Sequence, residues 1–428
     1  MTFGHLKNSK SKSMKKFLTG AVIFLLMSAA AYAGGYRIAL QGQKQLAMGH
    51  TGVAVINSSE LAFFNPAGLT FLEDSFTSSV GMNLVYSNIV FQNERYGWYT
   101  ESESPVSTPF NAYASFKINE WASVGMAVYT PYGSSVEYPT NWEGSHLINE
   151  ISLAAIFFQP TLSVKLTDKL SIGGGAILVS GSVDFTRNLD RSTTNVEGER
   201  LGVNINQSGI TAWGYNLGLM FRPTTAFTLG VNYRSEIIVD AEEGEADFRN
   251  IPSNLQGQFS DGTFNASLPL PAELTFGASY QVNEKWLLAV DINRVFWDVY
   301  QSLDVEFSNG LVSENPRNYK NSTSYRFGMQ YKANERFTLR GGYYFDESPI
   351  QSRYFAPETP RNDSNNFTGG LTFNLSEHFA IDASFLYIHF DEVNESYDFY
   401  QENGQNVSFG GTYKNNAFIP GLGVTYRL

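Results

Sequence analysis

From residue 286 the chain keeps a two-residue period: Trp286, Leu288, Val290 and Ile292 oppose Leu287, Ala289, Asp291 and Asn293. Trp213, Tyr215, Leu217, Leu219 and Phe221 oppose Ala212, Gly214, Asn216, Gly218 and Met220, and 227–234, 337–345, 367–375, 378–389 and 418–428 behave alike. A helix repeats every 3.6 residues, so this period belongs to strands. Strands of soluble proteins are usually about five or six residues long. Here the segments often exceed about ten, the length a tilted strand needs to cross a bilayer. Their apolar faces carry aromatic residues toward the ends, as an interfacial girdle does. The period therefore predicts strands whose apolar rows face lipid.

Connection lengths give the strand number. Short turns recur at 118–121, 167–170, 222–225, 282–286, 333–337 and 375–379, most of them followed at once by a large apolar residue. Asn, Ser, Thr and Asp close such turns through local side-chain hydrogen bonds. Long polar loops lie at about 93–107, 133–149, 188–203, 242–270, 301–318, 347–363 and 392–411. These connections imply about fourteen strands. Short connections at one end and long ones at the other mark a bacterial barrel, and closure leaves no strand edge unpaired in lipid. The expected fold is all-β, a transmembrane antiparallel barrel over residues 73–428, with a soluble sandwich or propeller as the alternative.

The N-terminus reads differently. Met14-Lys15-Lys16, an apolar run from Phe17 to Ala30 and Ala31-Tyr32-Ala33 predict a secretory signal peptide over 1–33, with Met1 to Ser13 as an upstream extension. Removing its five lysines from the 29 basic residues leaves 24 against 41 acidic ones, a balance of −17 that argues against a nucleic-acid partner. The chain has no cysteine, so an exported fold is held without disulfides. Residues 34–72 lack sustained alternation and end in the turn signal Asn65-Pro66-Ala67-Gly68. Meanwhile Gly173, Gly175, Gly214, Gly218, Gly277, Gly328, Gly342, Gly370, Gly421 and Gly423 fall on the polar faces of their strands. Glycine weakens a strand, so a glycine-lined face predicts something packed close against it. Residues 34–72 are expected to be that occupant, a plug inside the lumen, the alternative being that the glycines only relieve barrel curvature.

Several blocks then resemble the FadL family of outer-membrane transporters for long-chain fatty acids, which includes the TodX-type proteins for aromatic hydrocarbons. They are the Gly34-Gly35-Tyr36 start, Phe63-Phe64-Asn65-Pro66-Ala67-Gly68-Leu69, Tyr129-Thr130-Pro131-Tyr132-Gly133, Asn141-Trp142-Glu143-Gly144, Gln159-Pro160 with Gly173-Gly174-Gly175, Gly230-Val231-Asn232-Tyr233-Arg234-Ser235-Glu236, Leu268-Pro269-Leu270-Pro271 and Asp291-Ile292-Asn293-Arg294-Val295-Phe296-Trp297. The resemblance implies a fourteen-stranded barrel with an N-terminal hatch, carried here by Gly34, Gly35, Tyr36, Asn65, Pro66 and Ala67. It implies passive uptake: a ligand lands on extracellular loops, binds an apolar lumen pocket near Tyr36, and leaves sideways at a kinked third strand. That strand is expected from Trp121 to about Tyr132, with the kink at Thr130, Pro131, Tyr132 and Gly133. Proline cannot donate a ladder hydrogen bond and glycine permits a bend, so the residues favour a kink there too, the alternative being that Pro131 only starts the external loop.

Phe248, Leu255, Phe259, Phe264 and Leu268 stand among polar residues in the fourth long loop and suggest a landing surface for a greasy ligand, or the loop's own small core. Inward-facing Arg234, Arg326 and Arg340 are candidates to receive a carboxylate, because a guanidinium offers a two-pronged donor. Lumen acids such as Glu236 and Asp291 compete for them. No enzyme is expected, since no G-x-S-x-G elbow appears. No cofactor or metal is expected: Gly173-Gly174-Gly175 opens no helix, and Asp391, Glu392, Glu395 and Asp398 read as a solvated loop. The expected partners are a hydrophobic small molecule, outer-membrane lipid and the assembly machinery of a Gram-negative outer membrane, with the chain a monomer. A hydrophilic porin, a structural or adhesive barrel and a barrel lipase are the rival functions.

Overall fold

The structure, a computed structural model, describes residues 36–402 and 404–428. The expected signal peptide and the candidate residues Gly34 and Gly35 lie outside the described residues.

Fourteen antiparallel strands close into a barrel. The first runs as Phe76–Asn83 and Tyr86–Asn93, and it pairs with the last, Gln405–Arg427, from Thr77↔Arg427 up to Gln92↔Thr412. Between them lie Phe110–Lys117, Ala122–Glu137, Glu150–Thr167, Leu170–Asn188 and Gly202–Phe221, then the two-part strands Phe227–Arg234 with Ile237–Arg249 and Gly262–Leu270 with Glu273–Gln281. Trp286–Val295, Ser322–Lys332, Phe337–Asp346, Ser364–Asn374 and Phe379–Phe390 with Val393–Glu402 complete the ring. Small additional strands decorate the long connections.

The six short turns fall where expected, and five use one device. The Asn119 side chain accepts from the Trp121 and Ala122 N–H groups at 2.8 and 2.9 Å. Thr167, Asn283, Asn334 and Ser376 repeat this at their own turns, at 2.9 to 3.3 Å. A side chain that fixes its own turn sets the register of the next strand. The predicted outward rows are exposed: Trp213 is 68% accessible and Leu217 54%, while Asn216 opposite is buried. With lipid as solvent, this places the greasy surface outside and the polar surface within.

Residues 36–71 lie inside the ring. They form two single-turn helices, Gln43–Leu46 and Leu61–Phe64, and a 3-10 turn, Pro66–Phe71. The lumen-facing glycines account for how close they come. A Cβ on Gly342 would sit 2.1 Å from the Gly49 nitrogen, and one on Gly328 would sit 2.2 Å from the Met48 carbonyl. Gly173 and Gly218 give the same room to Pro66 and Asn65, and Gly423 to Gln43. Gly175 and Gly214 differ, because their nearest neighbours belong to adjoining strands and not to this segment. Asn65 ties the turn down: its amide donates to the carbonyls of Val53 at 2.9 Å and Leu219 at 3.0 Å.

Two expectations about loops are corrected. The fourth long loop is mostly strand, since Ile237–Arg249 and Gly262–Leu270 pair across it and leave only 250–261 as connection. Here Val239, Ala246, Phe248, Phe264 and Leu268 turn toward the interior or pack against it, and Glu245 and Asp247 turn outward. The period is unchanged, but its phase is inverted after Arg234, so an apolar residue no longer marks the outer face. The third strand likewise continues past Tyr132 to Glu137, so Pro131 sits within it and does not merely begin a loop.

Candidate functional site

The third strand is where the wall changes. Its pairing with the fourth loses register between Tyr129 and Tyr132, a bulge centred on Thr130 and Pro131. Its pairing with the second strand ends at Asn111↔Tyr129. From Thr130 to Glu137 that edge takes its hydrogen bonds from elsewhere. The Ile38 N–H donates to the Pro131 carbonyl at 2.8 Å, and the Gly133 N–H donates to the Tyr36 carbonyl at 2.8 Å. The Gln41 amide adds a bond to the Thr130 carbonyl at 3.2 Å, and the Glu103 N–H reaches the Glu137 carbonyl at 2.8 Å. A stretch of barrel wall is thus completed by the start of the inner segment, which adds itself as a short antiparallel strand.

Side chains alternate along that arm. Tyr36 points into a large apolar cavity, where its ring meets Trp297 and Tyr300 edge-on at 5.0 and 5.3 Å. Its hydroxyl donates to the Pro269 carbonyl at 2.9 Å. Arg37 reaches the other way and is held by Glu273 at 2.8 Å and the Asn293 side chain at 2.7 Å. Breaking a buried pair of this kind strands a charge, so the arm is anchored at two levels.

The cavity above Tyr36 encloses about 1240 Å³ of atom-free space, mouth included. Leu153, Val183, Ile205, Val239, Phe264 and Leu268 give it an apolar lining. Three charged side chains interrupt that lining: Arg187, Arg317 and Glu358. Arg317 forms a buried ion pair with Glu358 and lies 5.3 Å from the centre of the Tyr397 ring. Burial works against charge on Arg317, but Glu358 more than offsets it, and the guanidinium is held charged more firmly than in water. Its Nη1 has no hydrogen-bond partner. Arg187 donates to the Ser313 hydroxyl at 2.8 Å and has no ion-pair partner among the described residues. The lining therefore carries one positive charge more than its carboxylate balances.

The structure distributes the residues expected from sequence. Phe264 and Leu268 line this cavity. Phe248 and Phe259 pack with Phe264 as a core beside it, while Leu255 is half-buried in the connection beyond. Tyr132 is buried with Tyr36 at 6.0 Å between ring centres, and Thr130, Pro131 and Gly133 lie along the bulged edge. Asn65, Pro66 and Ala67 lie at the opposite end of the inner segment, against the wall glycines and not at the cavity. The three expected arginines do not line the large cavity. Arg234 donates to the Tyr129 hydroxyl and the Phe63 carbonyl, Arg326 to the His50 carbonyl and Asn293, and Arg340 to Gln330 and Thr372. Glu236 is exposed, and Asp291 accepts the Gly52 and Val53 N–H groups instead of pairing with an arginine. Sequence reasoning missed Arg187 and Arg317. Both sit beside loops whose charged residues looked solvated, and only partners remote in sequence set them apart.

The comparisons agree with one another. Residues 24–428 match a family described as outer membrane protein transport protein (OMPP1/FadL/TodX). An outer membrane protein of Neisseria meningitidis serogroup B is 26% identical over 94% of this chain and 96% of its own. A long-chain fatty acid transport protein of Salmonella typhi is 21% identical over 93% of this chain and 97% of its own. Among solved structures, a Pseudomonas aeruginosa FadL homologue superposes with a TM-score of 0.81 at 18% identity, covering 92% of this chain and 99% of that one.

Proposed function

The chain belongs to the FadL/TodX family of outer-membrane transport proteins for fatty acids and aromatic hydrocarbons, and from that premise we propose that it admits a single-chain amphiphile with an anionic head, a long-chain fatty acid or close equivalent. The observation that carries this reading is the unbalanced charge in the lining of the cavity. Two guanidinium groups face one carboxylate, and the surrounding wall is apolar. A carboxylate head can complete the set through charge-assisted hydrogen bonds while its chain fills the apolar volume. An uncharged hydrocarbon would leave Arg187 without a counter-charge.

In this reading the lining around Phe264 and Leu268 receives the ligand from outside, and the chain extends toward Tyr36. Residues 34–72 act as the hatch. Displacing the arm at Tyr36 would free the edge from Thr130 to Gly133, and the ligand would leave sideways into the bilayer through that stretch of wall. Among the described residues, two main-chain bonds and the Gln41 side chain hold the arm to that edge. No step consumes energy; flow follows the concentration gradient. The filled lumen argues against a hydrophilic porin, because the inner segment touches the wall where glycines clear the way.

The test is binding and uptake together. Arg187→Gln should weaken oleate binding by about tenfold, the order expected for one charge-assisted contact, and leave methyl oleate unaffected. Equal loss for both ligands would refute the carboxylate assignment. Pro131→Ala combined with Gly133→Val should slow oleate uptake by cells without reducing oleate binding. Unchanged uptake would remove the lateral route.

A further inference from the structure

A second apolar chamber lies on the far side of the same arm. Residues 37–40 form one of its walls. The opposite wall is built from Leu386, Ile388 and Phe390 on the thirteenth strand and Ile419 on the fourteenth. These are lumen-facing positions. Lower on the same two strands, the equivalent positions hold Asp382, Ser384, Gly421, Gly423 and Thr425, the polar and small residues that the interior of a barrel ordinarily carries. Above Ser384 the row becomes greasy, although no lipid reaches it. Ile38 and Leu40 of the arm pack into this patch with Val85. They leave a narrow gap between the arm and the wall, which opens further only when the arm moves.

The chamber shares no lining residue with the first cavity. Its polar end differs as well. Arg361 is matched by Asp346, and Arg37 by Glu273, so neither guanidinium lacks a carboxylate. A water molecule needs about two to four polar partners to settle in a buried space, and the Leu386–Ile419 side offers none. An alkyl chain needs no such partners, and it gains free energy in proportion to the apolar area it covers.

We infer that this chamber is a second binding site, specific for uncharged hydrocarbon: the alkyl part of the transported molecule, or an alkane-like ligand without a charged head. The inference rests on the transport reading above. It adds a station on the other side of the arm, reached when residues 36–40 shift. The two chambers then divide the ligand's chemistry, with the charged lining of the first selecting a charged head and the second accepting the tail whatever the head.

The test uses the full chain in lipid nanodiscs, irradiated with stearic acid carrying a mid-chain diazirine and, separately, with its methyl ester. Adducts are located residue by residue by mass spectrometry. Outward-facing Tyr387 and Phe418 report lipid-phase labelling and confirm the photochemistry. Both probes should label Leu386, Ile388 and Ile419. Ile388→Trp should reduce that labelling at Leu386 and Ile419 at least fivefold while leaving adducts at Leu153 and Ile205, in the first cavity, in place. Inner adducts confined to the first cavity would overturn the second site and leave the transport reading standing. So would labelling of the second chamber by the acid alone, or labelling indifferent to Ile388→Trp. Adducts only on outward residues would overturn both readings.

Discussion

The barrel has two levels built on one period. At membrane level Leu217 and Phe276 face out, and Asn216 and glycines such as Gly277 face in. Above it Phe264 and Phe248 face in and Asp247 faces out. The change of phase follows from the change of solvent: lipid draws apolar rows outward, and water drives them back inside. Each level therefore has its own core. Below, the lumen is filled by residues 36–71 against a glycine-faced wall; above, aromatic and aliphatic clusters surround the cavity and the loops.

Mutations that ask the same question at both levels can break this comparison. Phe264→Ala should cost about 3–5 kcal/mol in urea unfolding, as a buried phenylalanine does, whereas lipid-facing Phe276→Ala should cost far less. Equal costs would mean the upper row is not a core. Leu217→Arg should lose about 2–4 kcal/mol in a bilayer, while outward Asp247→Arg should stay within about 0.5 kcal/mol. A penalty at Asp247 as large as at Leu217 would put lipid at both levels.

Neighbouring glycines sharpen the inner half of the contrast. Gly342→Ala forces a Cβ against the backbone at Gly49 and should cost about 1–3 kcal/mol through overpacking. At Gly341 the added carbon has only a methionine methyl at 3.5 Å, so Gly341→Ala should be neutral or slightly stabilising. If both are silent, the inner segment does not press on the wall.

The last contrast, a dependence on pH, belongs to the upper core alone. His146 is fully buried against Tyr400 at 4.6 Å and Phe409 at 5.4 Å, and neither ring nitrogen has a hydrogen-bond partner. Burial, then Arg191 and Arg187, push its pKa down to about 3, with Glu402 opposing. An unfolded histidine titrates near 6.5, so below that pH the unfolded chain takes a proton that the folded loop refuses. Stability should fall by roughly 1.4 kcal/mol per pH unit from 6.5 toward 3. Hydrogen exchange over 138–149 should show the slope, and His146→Phe should flatten it; a slope that survives the substitution would place its source elsewhere.

The strand number, the side of the short turns and the outward rows could be read from the chain, because a two-residue period and an Asn-closed turn are local events. The outward row 213–221 and the turn at Asn283 needed no distant partner to be recognised. The boundary of the fourth loop could not be read this way, because an inverted phase looks like a strand ending when lipid is assumed throughout. Nor could the charged residues of the cavity. Arg187 and Arg317 differ from Arg234, Arg326 and Arg340 in what surrounds them, and those surroundings come from residues as remote as Ser313, 126 positions away.

Sequence by itself determined that this chain makes a closed wall with its greasy face outward, since alternation and solvent alone require it. Tertiary structure decided that the wall is interrupted beside Pro131, that residues 36–41 fill the interruption, and which guanidinium is left without a carboxylate. Those are matters of who stands next to whom across the lumen, and no local pattern encodes them.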